Sequence, residues 1–240
     1  MLPPMLSPLN RFLLILSLVL VCVPKLVADE VSVPVPYAKW ENEISAFEEK
    51  DRANPPEKGG IVFVGSSSIK KWTSLEQDFP RHHVLNRGFG GSELDDSVHF
   101  ADRIVIPYAP RMVVVYAGGN DINAGKTPEQ VFAAFQAFVG KVHANLPETT
   151  IAYISIAGNP KRWSQVEKVK EANALIESYT AKNPNLKFIN VFPRMLGSDG
   201  LPLPDIFVAD QLHMNAKGYA LWTEIVGAYL PAADRGASNQ

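Results

Sequence analysis

The sequence predicts an α/β protein in which one parallel sheet of about five strands is flanked by helices on both faces. Short apolar runs rich in β-branched residues alternate with longer segments whose apolar residues recur at helical spacing. The short runs are continuously apolar, which is typical of strands that are covered on both faces. The chain has 240 residues, of which 46% are hydrophobic, so it is long enough for one well-buried core. We therefore expect a three-layer domain.

The predicted elements follow one another in regular order after an initial helix at residues 40–50. Strands are predicted at residues 61–64, 84–85, 112–116, 151–156 and 188–191, and helices at residues 94–106, 128–146, 164–182 and 215–229. Thr127 is the predicted N-cap of the helix at 128–146, and Ser164 with Glu167 forms a predicted capping box for the next helix. This order fits a flavodoxin-like arrangement, in which sites collect beyond the carboxyl ends of the strands.

Residues 1–28 have the pattern of a secretory signal peptide. Arg11 precedes an apolar run at 12–23, which at about 1.5 Å per residue is too short to cross a bilayer core of about 30 Å. We expect cleavage after Ala28, although Leu26 is a large residue for the position three places before a cleavage site. The alternatives are an uncleaved anchor and a lipoprotein signal at Cys22, and the latter is disfavoured because the residue before Cys22 is not small. The expected location is secreted or periplasmic.

Beyond the signal peptide we expect a lead-in and helix at 29–58, one domain at 59–232 and a tail at 233–240. Removing Arg11 and Lys25 from 23 basic residues leaves 21 against 25 acidic residues, a net charge of −4. This balance indicates neither a nucleic-acid partner nor attraction to an anionic membrane. Cys22 is the only cysteine, so the mature chain would have no disulfide and no thiol chemistry.

The sequence contains four polar clusters that could carry chemistry. The first two lie after the first two predicted strands. Gly65 permits a sharp turn into Ser66, Ser67 and Ser68, where a serine hydroxyl could attack an acyl carbon while nearby amides receive the oxyanion. Alternatively, these serines only cap a helix. Residues 86–92, Asn-Arg-Gly-Phe-Gly-Gly-Ser, could supply a further amide donor or only a tight connection to the next helix.

The other two clusters contain an asparagine and an acid–histidine pair. Asn120 follows the strand at 112–116, and its neutral side-chain amide could hold an oxyanion, although asparagine is also an ordinary turn residue. Asp210 lies three residues before His213, where it could hold one ring nitrogen and leave the other free as a base. No pair of histidines has metal-ligand spacing with a carboxylate partner, so we expect neither a metal nor another cofactor.

Taken together and in this order, the clusters resemble the SGNH hydrolases, also called the GDSL esterase/lipase family. The motifs are Gly-x-Ser, Asn-x-Gly-x-x-Gly, Gly-x-Asn-Asp and Asp-x-x-His, and the resemblance covers about residues 61–219. The form Gly-Ser-Ser-Ser-Ile, with Trp72 following, is similar to the branch of platelet-activating-factor acetylhydrolase-like and bacterial acetylesterase sequences. The Gly-x-Ser-x-Gly elbow of α/β-hydrolases is absent, because residue 69 is Ile.

The resemblance implies a role for each matching residue. Ser67 matches the nucleophile, Asp210 the orienting acid and His213 the general base. The implied oxyanion donors are the amides of Ser67 and Gly91 and the side chain of Asn120, and the implied bracing residues are Asn86 and Asp121. The family's first motif usually reads Gly-Asp-Ser, whereas Ser66 occupies the aspartate position here, so the register within the three serines is ambiguous. Ser67 is preferred because it lies two residues beyond Gly65.

The implied function is a serine esterase that hydrolyses short acyl esters, expected to be acetyl esters, of small molecules or carbohydrates. The same residues would serve acyl transfer to a carbohydrate acceptor, and a non-catalytic carbohydrate-binding protein on this fold is the alternative from another class. No apolar lid insertion is evident, which favours short acyl chains, and no stable membrane insertion is expected after signal cleavage. Phe89, Arg162 and Trp163 are predicted near the loops that surround the site.

Overall fold

A computed structural model describes residues 35–233, all of which fall within one compact unit. The strands in this range are β1 Ile61–Gly65, β2 Val84–Gly88, β3 Met112–Tyr116, β4 Thr150–Ile154 and β5 Leu186–Ile189. They form one sheet in the order β2-β1-β3-β4-β5, and each neighbouring pair is parallel. The predicted α/β class and parallel sheet are confirmed. The predicted signal peptide, residues 29–34 of the lead-in and residues 234–240 of the tail lie outside the described residues.

Helices fill most of the connections between these strands. They are α1 Val35–Ala38, α2 Glu41–Ala53, α3 Ser67–Lys70, α4 Leu75–Asp78, α5 Leu94–Ile104, α6 Gly119–Asn123, α7 Pro128–Asn145, α8 Val166–Thr180 and α9 Ala216–Gly227. Short 3-10 segments occur at Ile106–Tyr108, Pro160–Gln165, Pro193–Met195 and Pro204–Ile206. Within this part of the chain, none of the helices combines the length and the apolar character that a membrane span requires.

Side chains of the sheet alternate between two apolar clusters, one on each face. Val113 and Val115 of β3 belong to a cluster with residues of α2, α5, α7 and α8. Met112 and Val114 belong to the opposite cluster, which includes residues of α3, α4 and α9. Both faces of the sheet are therefore buried between helices, which explains why the central strands are continuously apolar in sequence.

The structure corrects several predicted element boundaries. Helix α8 begins at Val166, so the capping box predicted at Ser164 is wrong. Residues 160–165, which precede α8, form a 3-10 segment, because Asn159 Oδ1 accepts the N–H of Arg162 at 3.0 Å and caps that segment first. Strand β2 continues to Gly88 and therefore contains the start of the second polar cluster, and residues 35–36 of the predicted lead-in belong to helix α1. The predicted cap Thr127 is confirmed, since it accepts the N–H of Gln130.

The strand order creates a switch point between β1 and β3. The chain passes from β1 to β2 on one side and then returns to place β3 on the other side of β1. The loops that leave the carboxyl ends of β1 and β3 therefore diverge, and a crevice opens between them. The first of these loops carries the serine cluster and the second carries Asn120.

Candidate active site

The turn after β1 directs Ser67 into the crevice. Gly65 has a φ of +135°, and a Cβ atom there would lie 2.0 Å from the backbone oxygen of Tyr116, so no other residue fits without displacing β3. The N–H of Ser66 donates to that same oxygen at 2.9 Å, which fixes the turn against β3. Ser67 is then the first residue of α3, with its amide and hydroxyl at the start of the helix.

A tight loop before α9 holds Asp210 and His213 against each other. Asp210 Oδ1 accepts the backbone N–H groups of Leu212 and His213, both at 2.9 Å, and Oδ2 is 2.6 Å from His213 Nδ1. Gln211, between them, has a φ of +57°, in the left-handed region, which closes the loop. These hydrogen bonds, chiefly those from His213, hold the pKa of the Asp210 carboxyl well below its ordinary value, although its side chain is 48% exposed.

The structure brings Ser67 and His213 together across 146 residues of sequence. His213 Nε2 is 2.9 Å from Ser67 Oγ. Because the Asp210 carboxylate accepts at Nδ1, that nitrogen carries the ring proton and Nε2 accepts the serine hydroxyl. Ser66 is the buried N-cap of α3, and the Ser68 hydroxyl lies beside the phenol oxygen of Tyr116. Of the three serines, it is Ser67 whose hydroxyl meets the histidine.

Asn120 lines the same cleft from the other side. Its Nδ2 donates one hydrogen to the backbone oxygen of Ser92 at 2.9 Å, and its Oδ1 accepts from Arg162 Nη1 at 3.0 Å. The second N–H of this carboxamide has no acceptor among residues 35–233. Gly91 lies next to Ser92, so the loop that carries it is tied to Asn120.

The backbone amides of Ser67 and Gly91 resemble the Asn120 carboxamide in having an N–H without an acceptor among the described residues. Neither the N–H of Ser67 nor that of Gly91 donates to an acceptor in the described part of the chain. Gly91 has a φ of +80° and is exposed, and it is not among the residues that line the cleft, whereas Ser67 and Asn120 are. Two of the three predicted oxyanion donors, Ser67 and Asn120, therefore line the cleft, and Gly91 lies outside the lining on a loop that Ser92 ties to Asn120.

Asn86 and Asp121 lie beside the cleft and hold its loops. Asn86 Nδ2 donates to the backbone oxygen of Ile69 at 2.7 Å, which links β2 to α3. Asp121 is fully buried, and its two oxygens accept the N–H of Leu94 at 3.2 Å, while Lys126 Nζ lies 3.0 Å from Oδ1. Burial raises the pKa of the Asp121 carboxyl. This carboxyl connects the start of α6 to the start of α5.

The cleft itself encloses about 580 Å³, open solvent at its mouth included. Its walls combine Ser67, Asn120 and His213 with apolar side chains, among them Ile156, Val166 and Val169. Within the described residues, no group of three or more His, Cys, Asp or Glu side chains is arranged to hold a metal ion.

The surroundings of the cleft were predicted in part. Arg162 and Trp163 line it, as predicted. Phe89 does not, because it is fully buried against Trp40 and Phe100 in the apolar core. Tyr116 was missed. It ends β3 and lines the cleft, and its only sequence signal is its place as the last residue of a buried strand.

Comparisons with known proteins identify the family of this chain. The model of the GDSL-like lipase/acylhydrolase family matches residues 64–221. Platelet-activating factor acetylhydrolase IB subunit alpha1 from Pongo abelii is 30% identical over 173 residues, which cover 67% of this chain and 70% of that protein. The Homo sapiens protein of that name is 30% identical over 172 residues, or 66% and 70%.

Solved structures have the same fold. A GDSL-like lipase from Bacteroides thetaiotaomicron superposes with a TM-score of 0.64 at 20% identity, over 80% of this chain and 96% of that one. At this level of identity the likeness concerns the fold alone. The family match extends over most of the described residues, from the last residues of β1 into α9. The chain therefore belongs to the GDSL-like lipase/acylhydrolase family, the SGNH hydrolases, and is an ester hydrolase.

Proposed function

We propose that the protein is a serine esterase in which Ser67 is the nucleophile, His213 the general base and Asp210 the acid that orients the imidazole. The observation that carries this proposal is the continuous hydrogen-bonded chain from Asp210 Oδ2 to His213 Nδ1, at 2.6 Å, and from His213 Nε2 to Ser67 Oγ, at 2.9 Å. A serine hydroxyl is a weak nucleophile until a base in hydrogen-bond contact can take its proton.

In the proposed reaction, Ser67 Oγ attacks the ester carbonyl carbon while His213 Nε2 takes the hydroxyl proton. The tetrahedral intermediate collapses as the imidazolium gives that proton to the leaving alkoxide, so an alcohol departs and Ser67 carries the acyl group. His213 then takes a proton from water, the resulting hydroxide attacks the acyl carbon, and the proton returns to Ser67 Oγ as the acid is released. Asp210 stays ionised throughout, in keeping with its lowered pKa.

The oxyanion of each tetrahedral intermediate is assigned to three donors. These are the N–H groups of Ser67 and Gly91 and the free N–H of Asn120. The support for this assignment is that none of the three has an acceptor in the described part of the chain, and unused donors on rigid loops are what a developing negative charge requires. Removing one such donor costs about 100- to 1000-fold in turnover.

The proposed substrate is an ester with a short acyl group, such as an acetyl ester of a small molecule or carbohydrate. Two observations support a short acyl group. The apolar part of the cleft is made by a few aliphatic side chains and is contiguous with Ser67, and the curated relatives are named acetylhydrolases. The half-exposed Trp163, which packs near Phe192, provides an aromatic wall for the alcohol part of the ester.

A panel of p-nitrophenyl esters of increasing acyl length tests both parts of the proposal. We expect the highest kcat/KM with the acetate and a steep decline towards the octanoate. Ser67→Ala should abolish hydrolysis of every ester, whereas Ser68→Ala, which changes a neighbouring serine whose hydroxyl faces Tyr116, should keep most of the activity. Wild-type rates in Ser67→Ala would refute the nucleophile assignment, and a preference for octanoate would refute only the acyl preference.

We also propose that residues 1–28 direct the chain out of the cytoplasm and are then removed. The support is the charged start, the short apolar run and the small residue Ala28. Intact-mass measurement of protein recovered from the periplasm or the medium should give a chain that begins at Asp29. Recovery of the complete chain from the cytoplasm would contradict the proposal, and a lipid-modified Cys22 would replace it with membrane anchoring.

A further inference from the structure

Arg162 is a cation in the cleft that has no anionic partner among the residues that the structure describes. Its Nη1 donates to the backbone oxygen of Gly119 at 3.1 Å and to Asn120 Oδ1 at 3.0 Å. Among residues 35–233, no carboxylate forms an ion pair with it, and it is the one Arg, Lys, Asp or Glu side chain that lines the cleft. Burial lowers the pKa of its guanidinium, which nevertheless remains charged because the pKa of arginine is far above neutral.

The contacts of Arg162 determine which way the Asn120 carboxamide faces. A carboxamide that rotated by half a turn would present its NH₂ group to the guanidinium N–H and its oxygen to the oxygen of Ser92, so both hydrogen bonds would be lost. In the observed orientation Nδ2 has two hydrogens, of which one binds Ser92 and the other has no acceptor in the described part of the chain. The guanidinium also polarises the carboxamide, because a charge-assisted hydrogen bond at the oxygen draws electron density from the nitrogen.

We infer that Arg162 is a positioning residue for the oxyanion site, acting through Asn120. The inference rests on the proposed function, in which the unused N–H of Asn120 receives the oxyanion. A half-buried cation without a carboxylate is costly to maintain. The Arg162 guanidinium is useful here because it binds the oxygen of the Asn120 carboxamide, while negative charge develops at the N–H on the other end of that carboxamide. The segment that carries Arg162 is a 3-10 turn that Asn159 caps, so the guanidinium is delivered from a backbone held independently of Asn120.

The first test is a kinetic comparison of substitutions at Arg162 with a neutral ester. Arg162→Met should lower kcat by about 10- to 100-fold, the size of effect expected for a misplaced catalytic group. KM should change little, because the oxyanion exists only in the transition state and intermediate. Arg162→Lys, which can still donate a charge-assisted hydrogen bond, should recover part of the loss. Lys161→Met removes the adjacent exposed cation and serves as the matched control with unchanged kinetics.

The second test is a double-mutant cycle with Asn120→Ala. If Arg162 acts through Asn120, adding Arg162→Met to Asn120→Ala should cause no further loss of kcat. Independent losses that multiply, or an unimpaired Arg162→Met beside a crippled Asn120→Ala, would overturn the inference and leave the proposed oxyanion site standing. An unimpaired Asn120→Ala would overturn both.

The third test separates positioning from recognition of a charged substrate. The kinetics of a neutral acetyl ester are compared with those of an acetyl ester whose alcohol part carries a carboxylate. Equal loss of kcat on both esters in Arg162→Met supports the inference. A rise in KM confined to the anionic ester, with kcat for the neutral ester unchanged, would assign Arg162 to substrate binding and overturn it. Thermal unfolding of each variant is recorded, and Arg162→Gln is used if Arg162→Met does not fold.

Discussion

The substitution Asp210→Asn changes the acid of the proposed triad with almost no change in shape. In the wild type, Asp210 Oδ1 accepts two backbone N–H groups at 2.9 Å and Oδ2 faces His213 Nδ1 at 2.6 Å. The asparagine oxygen must keep the two backbone donors, because an NH₂ group there would oppose them. The NH₂ group then faces Nδ1 and donates to it.

The consequence is an exchange of tautomers in His213. With Nδ1 as acceptor, the ring proton moves to Nε2, which then donates to Ser67 Oγ and can no longer take its proton. In serine hydrolase triads this substitution costs about 10⁴-fold in kcat. Asp210 is 48% exposed, so water screens part of the lost charge but does not change the tautomer. We therefore expect a loss of about 10³- to 10⁴-fold.

The assay is the pre-steady-state and steady-state hydrolysis of p-nitrophenyl acetate at neutral pH. Asp205→Asn is the matched control, because it removes an exposed carboxylate of the same loop region that, within residues 35–233, pairs only with Lys217, at 3.1 Å. The control should keep wild-type kcat and KM. A loss below about tenfold in Asp210→Asn, or an equal loss in both variants, would show that Asp210 does not set the tautomer of His213.

Two further predictions concern stability. Gly65→Ala should lower the free energy of unfolding in urea by at least about 2 kcal/mol, because its Cβ would overlap the backbone oxygen of Tyr116. Gly140→Ala is the control: it lies in α7, where no atom of residues 35–233 outside the adjacent helix backbone lies within 4 Å of the new methyl group, and it should raise the free energy of unfolding by about 0.5–1 kcal/mol. Similar effects of the two substitutions would contradict the overlap proposed at Gly65. The pKa of Asp210 is lower in the folded chain than in the unfolded one, so its ionised form contributes stability above a pH of about 4 that is lost as the pH falls. The difference in unfolding free energy between wild type and Asp210→Asn should therefore shrink from pH about 5 to about 2, and a pH-independent difference would show that the carboxylate contributes no such stability.

The parts of the fold that sequence predicts well are those where burial is uniform. Strands β1 and β3 lie in the middle of the sheet with every residue buried, so each is an unbroken apolar run. Strands β2 and β5 lie at the edges of the sheet and contain half-exposed residues, including Asn86 and Lys187. Their apolar runs are shorter, which is why the predicted bounds, 84–85 and 188–191, differ from the observed strands Val84–Gly88 and Leu186–Ile189.

In the candidate site, the residues that belong to short sequence motifs were predictable, and the contacts between distant residues were not. Ser67, Asp210 and His213 occur in short motifs whose order along the chain carries information, and the structure brings all three together. The partnership of Arg162 with Asn120 joins residues 42 positions apart and depends on how a 3-10 turn packs against α6, which no local pattern encodes. Phe89 was predicted near the site and is not, because this aromatic residue of a glycine-rich loop points into the core rather than into the cleft.

In the proposed mechanism Ser67, and neither neighbouring serine, is the nucleophile that His213 activates. The most direct measurement is labelling of the folded protein with a fluorophosphonate, followed by peptide mass spectrometry to locate the adduct. We expect one adduct on Ser67, which disappears in Ser67→Ala and becomes much slower to form in His213→Ala, while Ser68→Ala still labels. An adduct on Ser66 or Ser68, or no adduct on folded wild-type protein, would contradict it.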